Sequence, residues 1–101
     1  MKENSAIELQ VGEQVEITLP GKQATGYEWM LRSLDQTILE TVGQPEYKPE
    51  SDALGAGGRF ILHLKAIAIG ETWIEMVYRR YFDPQDVPPI DEYRVLVKIT
   101  Q

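Results

Sequence analysis

Gln14-Val15-Glu16-Ile17-Thr18-Leu19-Pro20-Gly21 is the stretch that decides the fold. Up to Leu19 it alternates strictly, with Val15, Ile17 and Leu19 on one side and Glu16 and Thr18 on the other. Successive side chains of a strand point to opposite faces, so a period of two marks a strand with one buried face. Pro20-Gly21 is a turn pair and is expected to end that strand. The pattern repeats outward. Upstream, Ala6-Ile7-Glu8-Leu9-Gln10-Val11 reads as a first strand closed by Gly12. Downstream, Tyr27-Glu28-Trp29-Met30-Leu31 is a third, with Trp29 and Leu31 facing the core.

Further along, Asp35 could start a short helical turn, but Gly43 and Pro45 leave little room for a helix, so 38–42 is read as a strand. Residues 45–49 are expected to be extended, with Glu46 and Lys48 outward, and 49–58 to be a loop. The run 59–66 turns Phe60, Leu62, Leu64 and Ala66 inward and His63 and Lys65 outward. After a turn at Gly70, the run 72–79 points Ile74, Met76 and Tyr78 inward. Trp73 is out of phase with them and should be more exposed than Trp29. A polar, Pro-rich loop, 83–91, precedes a last strand that buries Tyr93, Val95, Val97 and Ile99.

About seven strands with regular turn signals predict an all-β, immunoglobulin-like antiparallel β-sandwich. Alternate turns of such a sandwich emerge at the same end. Turns 20–26, 49–58 and 80–91 should therefore share one end, and 12–13, 32–37 and 67–70 the other.

Length and composition suit one domain spanning 1–101, with 43% hydrophobic residues to build a core. The chain has no cysteine, hence no disulfide, thiolate nucleophile or cysteine-based zinc site. A net charge of -6 opposes binding to nucleic acid. The apolar stretches are too short to span a bilayer, so no membrane partner is expected. No apolar signal segment follows Met1, which predicts a cytoplasmic protein, or an extracytoplasmic one if a signal has been removed. A monomer is expected.

Catalysis finds little material. His63 is the single histidine and sits on the outward face of its strand. Without Cys or a second His, neither a nucleophilic triad nor a His-rich metal site can be assembled. Asp83, Asp86 and Asp91 share a loop, but their spacing fits no standard calcium loop. The expectation is a protein that is not an enzyme and needs no cofactor or metal.

The unusual chemistry lies in the three turns of one end: Lys22-Gln23-Ala24-Thr25-Gly26-Tyr27, Gly55-Ala56-Gly57-Gly58 and Arg80-Tyr81-Phe82. Thr25-Gly26 reads as a tight turn with Gly26 at positive φ. The glycine run is either a flexible hairpin tip or bare backbone that another protein can approach closely. A phosphate cradle would need a helix after the glycines, and a strand follows instead. Arg80 and its two aromatic neighbours have the composition of an interface hot spot. Loops at one end of a sandwich commonly carry binding.

With these segments on view, the chain resembles the chagasin family of inhibitors of papain-like cysteine peptidases. That family carries Asn-Pro-Thr-Thr-Gly-aromatic-x-Trp after a Leu-Pro, and here Leu19-Pro20-Gly21-Lys22-Gln23-Ala24-Thr25-Gly26-Tyr27-Glu28-Trp29 stands in its place. The family's Gly-x-Gly-Gly is intact as Gly55-Ala56-Gly57-Gly58. Its Arg-Pro-Trp, preceded by a Tyr, corresponds to Tyr78-Arg79-Arg80-Tyr81-Phe82. Lys22, Gln23 and Ala24 replace Asn, Pro and Thr, and Tyr81 and Phe82 replace Pro and Trp; Thr25, Gly26 and Arg80 are kept. The resemblance implies that the first loop enters the peptidase cleft while the other two grip its walls, so that inhibition is reversible occlusion. The departures imply a less pre-organised first loop and a third loop without the indole donor. The competing reading is a non-inhibitory protein-binding or structural module that has kept the fold and lost the target.

Overall fold

The computed structural model describes residues 6–22, 26–51, 57–80, 82–84 and 86–101, and the backbone of residues 2–3. Nine strands make up the described fold: β1 (Lys2–Glu3), β2 (Ile7–Gln10), β3 (Gln14–Gly21), β4 (Tyr27–Ser33), β5 (Leu39–Thr41), β6 (Glu46–Pro49), β7 (Gly58–Ala66), β8 (Gly70–Arg80) and β9 (Asp91–Thr100). In one sheet β1 and β2 lie end to end along β9, followed by β8 and β4; in the other β3 pairs with β7, and β5 and β6 both lie along β7. The nine strands are therefore seven runs, the number the turn signals suggested. The break between β5 and β6 falls where Gly43 takes φ +72° and Pro45 lacks an N–H to donate.

The inward positions are those the alternation marks. Phe60, Leu62, Leu64 and Ala66 of β7 meet Ile74, Met76, Tyr93, Val95, Val97 and Ile99 of the opposite sheet in one buried cluster. Trp29 is 3% exposed and Trp73 38%, as their phases require. Fully burying a side chain of this kind is worth about 1.5–3 kcal/mol, so the facing sheets are held chiefly by this layer.

Three details depart from the sequence reading. The first strand is not antiparallel to its neighbour: β1 and β2 run parallel to β9, with Ile7 opposite Val97 and Leu9 opposite Ile99. The turn after β2 explains this. Val11 N donates to Thr100 O at 3.0 Å in one sheet, while Gly12 N donates to Ala66 O at 2.8 Å in the other. The chain crosses between sheets there instead of folding into a hairpin, which leaves β2 beside a strand running the same way.

Pro20-Gly21 does not end β3. Pro20 stays opposite Arg59 and Gly21 opposite Gly58. Because β3 is an edge strand, a proline whose missing N–H faces outward is tolerated. Its carbonyl turns to the indole Nε1–H of Trp29, 3.0 Å away.

The segment read as a strand over 38–42 shortens to β5, because a turn forms first. Asp35 O accepts from the N–H groups of Ile38 and Leu39, both at 3.2 Å, and Asp35 Oδ1 accepts from Thr37 N at 2.9 Å.

Candidate functional site

Pairing places the three turns together. β3 descends to Gly21, which is opposite Gly58 at the start of β7; Pro49, the last residue of β6, is also opposite Gly58. In the other sheet Tyr27, the first residue of β4, is opposite Arg80, the last of β8, and Tyr78 is opposite Asp91. The loop stems 20–22, 57–58, 78–80 and Phe82 thus lie at one end of the sandwich, as strand counting predicts. Gln23, Ala24, Thr25, Gly55, Ala56 and Tyr81 of the sequence-derived site lie outside the described residues.

The described site residues touch one another. Gly26 turns into β4 with φ +84°, the left-handed region expected from the Thr-Gly pair. A Cβ there would lie 3.4 Å from Phe82 Cε1 and 3.9 Å from Arg80 Cγ, so the first and third loops are in contact. A Cβ on Gly57 would lie 3.8 Å from Gly21 O and 3.9 Å from Lys22 Cγ, which joins the second loop to the first. Gly58 differs from its neighbour. It is buried, and a Cβ on it would meet Lys48 O at 2.5 Å and Tyr47 Oη at 2.6 Å. Its missing side chain makes room for a tyrosine inside the fold.

Arg80 organises the third loop. Its guanidinium lies 4.6 Å from the centre of the Tyr27 ring and 5.8 Å from that of Phe82. Arg80 Nε is buried with no hydrogen-bond partner among the described residues, so the rings and not a carboxylate define its place. The neighbouring Arg79 works differently: its Nη2 donates to Asp83 O at 3.2 Å and to Pro84 O at 2.8 Å, tying the loop back to β8. Asp83 N closes the turn onto Arg80 O at 3.2 Å. The outcome is a third loop that presents Phe82 with 60% of its surface exposed.

Sequence reasoning missed two apolar residues of this loop, Val87 and Ile90, which are also exposed. Their signal was available: isolated aliphatic residues in a stretch otherwise made of Asp, Pro and Gln. It also missed the stem. Tyr78 Oη accepts from Lys22 N at 3.0 Å, and Tyr47 Oη donates to Gly21 O at 3.4 Å. An open recess of about 380 Å³ lies between the first two loops, floored by Trp29 and Tyr78.

No catalytic constellation is built at this end among the described residues, nor does any group of three or more His, Cys, Asp and Glu side chains stand ready for a metal. His63 is far from the loops in register, opposite Glu16 in mid-strand, and pairs with Glu46 Oε1 through Nε2 at 2.8 Å.

Fold and site together define a class: a small two-sheet β-sandwich whose described residues build no catalytic constellation and whose three loop stems abut at one end, with glycine backbone, aromatic rings and arginine among them. Residues 8–97 match the family model described as Chagasin family peptidase inhibitor I42. The chain belongs to the chagasin family. It is 33% identical to chagasin of Trypanosoma cruzi over 91 residues, covering 86% of this chain and 80% of that protein. To Amoebiasin-1 of Entamoeba histolytica it is 34% identical over 84 residues, covering 80% and 78%. Among solved structures, the cysteine protease inhibitor EhICP2 of Entamoeba histolytica superposes with a TM-score of 0.81 at 21% identity, over 95% of this chain and 86% of that one. PbICP-C, solved in complex with falcipain-2, superposes with a TM-score of 0.58 at 23% identity, over 98% and 90%. Both likenesses are likenesses of fold.

Proposed function

We propose that this protein inhibits papain-like cysteine peptidases by reversible occlusion of the active-site cleft with the three-loop end of the sandwich. The observation that carries this reading is mutual contact: Gly26 against Phe82, Gly57 against the Gly21-Lys22 stem, and Arg80 between Tyr27 and Phe82. Three separate loops are thereby one surface. Family membership supplies the class of target.

The division of labour follows from side-chain chemistry. The first loop, Lys22, Gln23, Ala24, Thr25, Gly26 and Tyr27, is the plug. Thr25 can hydrogen-bond in the cleft through hydroxyl or backbone, and Gly26 makes the sharp turn behind it. Gly55, Ala56 and Gly57 offer backbone to one cleft wall. Arg80, Tyr81 and Phe82 offer aromatic surface and a cation to the other. Affinity concentrates in such aromatic and arginine anchors, provided they are held rigid before binding. The thiol of the peptidase is covered and not trapped, so activity returns on dilution.

The test is a titration of papain or cathepsin L activity with the purified protein. Inhibition should be reversible, and the inhibitor should be recovered uncleaved after prolonged incubation. If no papain-like peptidase is inhibited at micromolar concentration, the inhibitor reading fails and the chain is a binding module of the same fold.

A further inference from the structure

We infer that Tyr78 is a positioning residue for the inhibitory end: its hydroxyl holds the stem of the first loop where Gly26, Gly57 and Arg80 form one surface. The inference rests on the inhibitor reading above and names the part of the fold that sets the surface.

The problem that Tyr78 solves is local. β3 ends its pairing with β7 at Gly21, so Lys22 N–H has no ladder partner in β7. Lys22 is exposed, so water alone would satisfy that donor but would leave the backbone free to move; a fixed acceptor ties it to one place. Tyr78 Oη, on the opposite sheet, accepts that N–H at 3.0 Å. The two preceding carbonyls are held from the same interior: Pro20 O by Trp29 Nε1–H at 3.0 Å and Gly21 O by Tyr47 Oη–H at 3.4 Å. One backbone group from each of three successive stem residues is therefore gripped by an aromatic side chain.

The aromatic side chains are themselves locked. The Tyr78 ring packs 5.0 Å from Trp29, 5.4 Å from Tyr27 and 6.3 Å from Phe60, centre to centre, and Tyr47 packs 4.8 Å from Phe60. Glycine is required where these groups reach the stem. A Cβ on Gly21 would meet Phe60 Cε2 at 2.7 Å and Tyr78 Oη at 2.9 Å, and one on Gly58 would meet Tyr47 Oη at 2.6 Å. Gly21 and Gly58 are paired, so one aromatic cluster sets the height of the first and second loops together. Tyr78 also reaches the third loop, because its carbonyl accepts Ile90 N–H at 3.0 Å. Tyr78 is thus bonded to the stems of both the first and the third loop.

A core tyrosine with a merely structural role would contribute to stability and leave binding alone. Tyr78→Phe separates the two roles, since it keeps the ring and removes only the hydroxyl that accepts from Lys22 N. Three measurements are made on wild type, Tyr78→Phe and Tyr47→Phe: the inhibition constant against papain with its association and dissociation rates, hydrogen exchange at the Lys22 amide, and the melting temperature. At a temperature where all are folded, Tyr78→Phe should raise the inhibition constant roughly three- to tenfold, the effect of one lost hydrogen bond. Much of that should fall on association, because fewer molecules hold the competent stem at any moment. Lys22 exchange should accelerate in parallel. Tyr47→Phe, whose bond is longer, should show a smaller change of the same kind. An inhibition constant within about twofold of wild type, beside faster Lys22 exchange, would overturn the inference and leave the hydroxyl a stabiliser only. Unchanged Lys22 exchange would overturn it directly. If wild type inhibits nothing, the inhibitor reading has failed on its own, and Lys22 exchange still decides whether Tyr78 holds the stem.

Discussion

Gly26 is the described glycine of positive φ that stands at the three-loop end, and its φ of +84° lies where side chains with a Cβ are strained. Gly26→Val should destabilise the protein by about 1 kcal/mol or more from the backbone alone. The branched side chain would also press on Phe82, 3.4 Å from its first carbon. Thermal unfolding measures the first effect and the inhibition constant the second; a variant with wild-type values of both would remove Gly26 from the site. On the proposed reading Arg80 and Phe82 are the anchors, and Arg80→Ala or Phe82→Ala should each weaken inhibition by about 1–2 kcal/mol with the fold intact. Arg80→Lys should not restore it, since an ammonium lacks the planar face that sits 4.6 Å over Tyr27. At this scale the sequence was uneven. The positive φ of Gly26 was legible because Thr-Gly before an aromatic is local turn chemistry. The stacking of Arg80 between Tyr27 and Phe82 was not, because it depends on β4 lying beside β8 in one register.

Elements were legible wherever one face is buried, since burial forces the alternation that a reader can see. Phe60, Leu62 and Leu64 announce β7 for that reason. Direction of pairing leaves no such trace: β2 has the same alternation whether it runs parallel or antiparallel to β9, and only the crossing turn at Val11-Gly12 decides. The turn before β5 is a second example, built from side-chain bonds. Asp35 Oδ1 accepts from both the hydroxyl and the N–H of Thr37, and Asp35 N donates to Thr72 Oγ1 at 2.9 Å. The hydroxyl bond from Thr37, followed by its N–H bond, holds the Asp35 carboxyl below its ordinary pKa. A depressed folded value means stability that is present above the unfolded pKa and lost as pH falls through the folded one. Thr37→Ala should therefore melt below wild type at neutral pH. The gap should close in acid below the ordinary aspartate range, where the carboxylate is protonated in both. Melting curves at the two pH values check this, and a gap undiminished in acid would mean the carboxylate is not the acceptor that matters.

Over the whole molecule, function follows from parity. Every second turn lands at the same end, so a chain of seven runs gathers its first, second and third loops on one pole and leaves the other pole to 11–13, 34–38 and 67–69. That far pole also shows apolar surface: Val11, Ile67 and Ile69 are exposed, Ile69 at 58%. Exposed apolar side chains alone therefore do not mark the inhibitory end. What distinguishes it is contact between loops, with Gly26 against Phe82 and Gly57 against Lys22. This distinction makes the last prediction. Ile69→Ala removes an aliphatic group that is 58% exposed, yet should leave the inhibition constant of a papain-like peptidase unchanged, while Phe82→Ala, comparably exposed at 60%, should raise it. Pairs within the inhibitory end should also couple. Side chains in contact deviate from additivity by about 0.5–3 kcal/mol, whereas distant ones add. Gly26→Val combined with Phe82→Ala should therefore cost less than the sum of the two, because the valine no longer presses on a ring, and Ile69→Ala should add to either without interaction. Inhibition constants for the single and double variants settle the matter. Additivity throughout, or an effect of Ile69→Ala equal to that of Phe82→Ala, would mean that the three loops do not act as one surface.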